Sequence, residues 1–152
     1  CLRDLKDIGY QIGCGFMVDS PYQTSEHLAE DMLFMKELNP HMIGIGPFIP
    51  HHDTPFAGES AGTLELTLYM LGLIRLMIPK VLLPATTALG TIHPKGRELG
   101  ILAGALVTAI IQSSSASVGF HQQKYGKIIF YMIIRSVPVM NPPSADTVWK
   151  CG

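Results

Sequence analysis

An α/β architecture, and within it about three consecutive β/α units of a TIM-type (β/α) barrel, is what this sequence predicts, from two observations. The segments Gly15–Thr24, Gly44–Pro50 and Leu83–Thr91 each close a short apolar run with glycine, proline and hydroxyl residues. Each is then followed by a helical pattern, giving the alternation of parallel strand and covering helix. In such a barrel the chemistry sits where strands hand over to helices. At 152 residues the chain is short of the roughly 250 that a whole barrel needs, so part of one is expected.

The elements follow in order. Cys1–Gly9 reads as the last turns of a helix ending in a C-terminal glycine, which places the upstream half of the barrel outside this sequence. Tyr10–Val18 is a mainly apolar run with small residues, as expected of a parallel strand covered on both faces. Thr24 or Ser25 can cap a helix that puts Leu28, Met32, Met35 and Leu38 on one face, and Asn39-Pro40 stops it. Met42–Phe48 is the second strand. The loop from Ile49 to Gly62 is long, polar and rich in proline and histidine, the kind of loop that shapes a site at this end of a barrel.

Thr63 can cap the helix Leu64–Met77, whose nearly all-round apolarity predicts a sandwich between the barrel and further protein. Pro79 ends it. Val81–Pro84 is the third strand, and Pro94 fits the first position of a helix running through Arg97 and Leu99 to Gly104. Three parallel strands leave two open edges, so poor solubility is expected of this segment alone.

Composition excludes several classes. A net charge of -1 with 15% charged residues gives no nucleic-acid surface. The stretch Leu64–Ile78 is too short, and with Glu65, Thr67 and Arg75 too polar, for a membrane span. No basic-apolar-small leader opens the chain. Cys1, Cys14 and Cys151 have neither disulfide-framework nor zinc spacing, which predicts a reduced, cytoplasmic setting.

The candidate site residues lie at the strand ends. Thr86 and Thr87 follow the third strand directly, so their hydroxyls and amides can face the barrel mouth and hold a carboxylate or another anion; two threonines can equally cap or turn the chain. Either Phe16 or Met17 must point inward, where a methionine can pack a sulfonium or an adenine ring, or simply a core. Gly44-Ile45-Gly46-Pro47 lets backbone approach a ligand closely. His51, His52 and Asp53, with His41 upstream, carry metal-binding groups, yet adjacent histidines diverge on an extended loop, so no metal site is expected. Ser20 lacks a Gly-x-Ser-x-Gly frame and Cys14 lies inside a strand, so neither is read as a nucleophile.

Taken together, these segments, with Pro50–Phe56, Gly62–Leu68 and Pro94–Glu98, resemble the radical S-adenosylmethionine maturases of [FeFe]-hydrogenase, the HydE family of the biotin-synthase-like branch. The likeness runs from about Gly9 to Gly104. It implies a (β/α) barrel that binds a four-iron cluster through a CxxxCxxC motif, cleaves S-adenosylmethionine to a 5′-deoxyadenosyl radical and helps to build the hydrogenase diiron subcluster. By that resemblance Thr86 and Thr87 line the small-molecule substrate or anion pocket, and Met17, Gly46 and Pro47 stand at strand ends near the cofactor. The CxxxCxxC motif is absent here, so the cluster ligands and the remaining N-terminal half must come from elsewhere, and the chain alone should be inactive. The family usually has glycine where this chain has Asp19, which puts a positive-φ turn in question and adds charge near the mouth. Related readings are a fragment of biotin synthase or of a methylornithine-synthase-like enzyme, or a non-catalytic half barrel that binds a small anion.

The texture changes after residue 105. Gln112–Ser117 is low in complexity and Val137–Ser144 is broken by three prolines, so 1–105 is expected to be the barrel half and 106–152 a poorly structured tail. Back-translating Ser136–Gly152 and starting each codon at the third base of the one before yields, with permitted synonymous choices, CTGDEPAECRYCLEMR, which resembles the maturase ending. A frame change between about Ala105 and Gly119 is therefore expected, leaving a tail unselected for packing.

Overall fold

The computed structural model describes residues 1–108 and 128–130, in which helices and short parallel strands alternate. α1 (Leu2–Asp7) ends, as expected, on Gly9 at φ 92°, and Lys6 Nζ donates to the carbonyls of Leu38 and Asn39 at 2.7 and 3.1 Å. The first strand runs through β1 (Gln11–Cys14) and β2 (Met17–Val18). α2 (Ser25–Leu38) starts at Thr24 and buries Leu28, Met32, Met35 and Leu38, the face its spacing predicts. Asn39 closes it in the left-handed conformation.

The second strand comprises β3 (Met42–Ile43) and β4 (Gly46–Pro47). α3 (Leu64–Met77) buries Thr67, Met70, Leu71 and Ile74. The third strand is β5 (Pro84–Ala85), after which the chain makes two short helices rather than one, α4 (Thr87–Ile92) and α5 (Gly96–Leu102). Pro94 is therefore not the first residue of a helix: α5 is entered through Lys95, and α4 takes the turn that the sequence reading left open. Two strands follow residue 105, β6 (Val107–Thr108) and β7 (Ile128–Phe130). The rest of the expected tail, with the proposed frame change, lies outside the described residues.

All pairings are parallel. β1 stands between β3 and β7, with Gly13 beside Met42 on one side and Gln11 beside Ile128 on the other. β2 pairs with β4, Met17 opposite Gly46, and β5 pairs with β6. A bridge from Met42 to Leu82 joins the second strand to the third. The two open edges expected at the first and third strands are thus occupied, by β7 and β6. β1 breaks before β2 where Gly15 lies against the Gly44 carbonyl so closely that a Cβ would collide with it. Glycine is needed there for the close approach of two backbones.

Burial alternates along the second and third strands, whereas Ile12–Phe16 of the first are all buried. Ile12, Cys14, Val18, Ile43, Ile45, Leu83 and Ala85 are buried in one core with the inner faces of α2 and α3. Gln11, Met17, Met42, Gly44, Gly46, Leu82, Pro84 and Thr86 on the other parity are only half-buried. The first strand, expected to be covered on both faces, is buried at every residue from Ile12 to Phe16, whereas on the second and third strands one face is packed by helices and the other is partly open. The described strands form no closed barrel. No described helix is long and apolar enough to cross a membrane.

Candidate functional site at the strand tips

Parallel register brings the carboxyl ends of the three strands to one rim. Met17 and Gly46 are direct partners, and Thr86 Oγ1 donates to the Ile45 carbonyl at 3.2 Å, so Met17, Gly46, Pro47 and Thr86 lie on adjacent strands at the same level. Phe16 is buried in the core and Met17 is half-buried on the open face, which settles which of the two leaves the helix side. The Met17 carbonyl is held by Gln23 Nε2 at 2.9 Å and Ser20 Oγ at 3.5 Å. Gln23 Oε1 is buried without a hydrogen-bond partner at this tip, a polar group that sequence reading did not single out.

Gly46 has a different use from the one its motif suggests. A Cβ there would stand 2.6 Å from Thr86 Oγ1 and 3.3 Å from Ala88 Cβ, so the bare face of this glycine makes room for the threonine side chain. Thr86 and Thr87 are consequently not equivalent. Thr86, the residue before α4, has given its hydroxyl proton to Ile45 and keeps lone pairs, whereas Thr87 opens α4 with its side chain exposed.

Asp19 lies at the rim, the His51–Asp53 cluster in the loop that leaves it, and His41 at the other end of the second strand. Asp19, at φ 58°, retains the left-handed turn that a glycine would adopt, a conformation that aspartate tolerates better than most residues. Its Oδ2 accepts from Thr63 N at 2.8 Å and from Thr63 Oγ1 at 2.5 Å. Thr63 thus does not cap α3 with its own side chain as expected; it is instead held in place by Asp19, 44 residues upstream. His51 and His52 stack with ring centroids 4.3 Å apart instead of diverging, and Asp53 Oδ2 lies 3.8 Å from His51 Nδ1 and 3.3 Å from His52 Nε2. The physical reason is a turn in which Thr54 N and Oγ1 both donate to the His51 carbonyl. His51 Nδ1 already accepts from Asp53 N at 3.2 Å, so that lone pair is in use. His41 serves the sheet, accepting from Ile12 N through Nδ1.

Of the two described cysteines, neither is placed to hold an iron–sulfur cluster. Cys14 is fully buried in β1, where burial first and the charge of Asp31 second push its thiol up to about 12. A cluster needs thiolates, and this sulfur is held as a thiol. Cys1 is exposed at the start of α1.

The subunit HydE of the [FeFe] hydrogenase maturase from Thermotoga maritima is 47% identical over 131 residues, a match that takes in 86% of this chain and 38% of HydE. The chain is a partial homologue of HydE. It spans well under half the length of that relative, and the matched stretch is too long to stop at residue 105. Among solved structures, methylornithine synthase (PylB) is similar with a TM-score of 0.58 and 27% identity, over 74% of this chain and 33% of that one. No protein-family model matches the chain.

Proposed function

We propose that the chain is a stretch of the (β/α) barrel of a HydE-like radical S-adenosylmethionine maturase, contributing part of the wall against which cofactor and substrate lie. The 47% identity to HydE over 131 residues carries this reading. The half-open sheet face supports it, because a barrel interior is formed by just such alternate residues from successive parallel strands.

In this reading Thr87 donates a hydrogen bond to a carboxylate or other anion of a small substrate. Thr86, its proton committed to Ile45, accepts one from an ammonium or hydroxyl group of the same molecule. Met17, with the Gly46-Pro47 turn beside it, offers a polarisable apolar edge for S-adenosylmethionine. That cofactor, with the four-iron cluster, supplies the radical chemistry; the described cysteines do not fit the cluster, so its ligands belong to an N-terminal half, and the chain alone is inactive. Partners would be that half and hydrogenase maturation proteins in a reduced cytoplasm, for assembly of the diiron subcluster.

The test is complementation. The chain is co-expressed with an N-terminal barrel half bearing CxxxCxxC, reconstituted with iron and sulfide without oxygen, and assayed for 5′-deoxyadenosine and for activation of hydrogenase apoprotein. Both activities are expected from the pair only. Thr87→Val should lower hydrogenase activation while 5′-deoxyadenosine still forms. A reconstituted pair that holds its cluster and forms no 5′-deoxyadenosine overturns the proposal. The likeness to methylornithine synthase supports a second reading, which methylornithine formation without hydrogenase activation would favour.

A further inference from the structure

We infer that Asp19 is a positioning residue that latches loop 49–61 at the rim of the strand tips. This loop leaves the second strand at Phe48 and returns at Gly62, and its neck is closed there by Gly62 N donating to the Phe48 carbonyl at 2.8 Å. Phe48 N in turn donates to the Val18 carbonyl at 2.8 Å, so the neck is tied to the first strand directly before Asp19. A Cβ on Gly62 would stand 2.6 Å from Val18 O and 2.8 Å from Phe48 N, which shows how tightly the returning chain presses on both strands. Asp19 completes this clamp with two bonds from one carboxylate oxygen to Thr63, the first residue past the neck.

The body of the loop has little else to hold it. Its hydrogen bonds are local turns, Thr54 N to His51 O, Ala57 N to Thr54 O and Glu59 N to Phe56 O. Apart from Phe56, which meets Phe48 edge-on at 6.4 Å, residues 51–61 are exposed. A segment with exposed side chains and short-range bonds takes its position from its ends. The carboxylate is also well placed electrostatically, since it faces the N-terminus of the 14-residue α3, where a negative charge is favoured. Asp19 therefore does through its side chain what a glycine at the same φ could not.

The latch uses the rim of the proposed site, yet it is tested without cofactor or substrate, so its failure is separate from failure of the maturase reading. Hydrogen exchange is followed in the 152-residue chain for wild type, Asp19→Gly, Asp19→Asn and Thr63→Ala. Glycine adopts φ 58° without strain, so Asp19→Gly removes the carboxylate and leaves the turn. Exchange at Ala57, Glu59, Gly62 and Thr63 is expected to rise about tenfold in that variant, with α2 unchanged. Asp19→Asn, whose amide oxygen still accepts from Thr63, should restore most of the protection. Thr63→Ala, which keeps the backbone bond, should open the loop less, and it carries the test alone if Asp19→Gly does not fold. Unchanged exchange in 57–63, an equal rise in α2, or no rescue by asparagine overturns the inference.

Discussion

α2 and α3 have the same length and cover the same face of the sheet, yet the instruction to start comes from different distances along the chain. α2 begins with a capping box closed within four residues: His27 N donates to Thr24 Oγ1, and Thr24 N donates to His27 Nδ1. α3 has no such box, and the residue before it, Thr63, is held through its amide and hydroxyl by Asp19 from the end of another strand. The far ends are both met from a distance: Lys6 of α1 donates to the carbonyls of Leu38 and Asn39 where α2 stops on left-handed Asn39, and Arg75 near the end of α3 donates to the carbonyls of Gly104, Pro79 and Val81 at 2.7, 2.7 and 3.0 Å. A helix started locally can be read from its own residues; a helix started by tertiary contacts forms only when the strands beside it are in place.

The largest effect expected tests the floor under both helices. Cys14 should react with a thiol reagent at pH 8 about a thousandfold more slowly than exposed Cys1, because its thiolate is suppressed and its sulfur covered. The sign of the pH dependence follows. The unfolded thiol loses its proton near 9.0 and the folded one near 12, so the contribution of this group is complete below pH 9 and is lost as the pH rises toward 12. Denaturant midpoints should fall over that interval in the wild type and not in Cys14→Ala. A midpoint that is level across it would show that the sulfur is wet.

Next come the cores of the two helices. Leu71→Ala in α3 should cost about 3 kcal/mol, and Met35→Ala in α2 a similar amount, since both side chains are buried in one cluster. If unfolding is cooperative, chemical denaturation shows one transition in each variant; two transitions in Leu71→Ala alone would show that α3 is a separate unit. Arg75→Met keeps the aliphatic stem and removes the donors, leaving three carbonyls to find water, at about 2 kcal/mol. Thr24→Ala should cost about 1 kcal/mol, the usual worth of a local cap.

The same division explains what the sequence showed and what it did not. Leu28, Met32, Met35 and Leu38, Gly9 as a helix end, and the strand tips at Met17, Gly46 and Thr86 are all set by near neighbours or by period, and all are where the pattern puts them. α4 was invisible because Thr87–Ile92 buries only Leu89 and so carries no helical stripe. The stacking of His51 on His52 depends on a turn made by Thr54, and the role of Gly46 depends on Thr86, forty residues on. The contact that holds the start of α3 joins Asp19 to Thr63, residues 44 apart, beyond the reach of any window that reads a helix from its own flanks.

The smallest effect expected concerns the outer face of α3. Tyr69 and Leu76, seven residues apart on one helix face, are 63% and 78% exposed. α2 exposes Leu33 at 64%, but with charged Lys36 and Glu37 following on its outer side. An exposed side chain that packs against nothing contributes little to folding, so Leu76→Glu should change the denaturation midpoint by less than about 0.5 kcal/mol. Its effect should appear instead in self-association, because the substitution breaks a continuous apolar strip on a chain of near-zero net charge. Light scattering against concentration should show less association for Leu76→Glu than for wild type, and no such gain for Leu33→Glu. A large loss of stability in Leu76→Glu would mean that this face is packed, and the contrast between the two helices would then reduce to how each one begins.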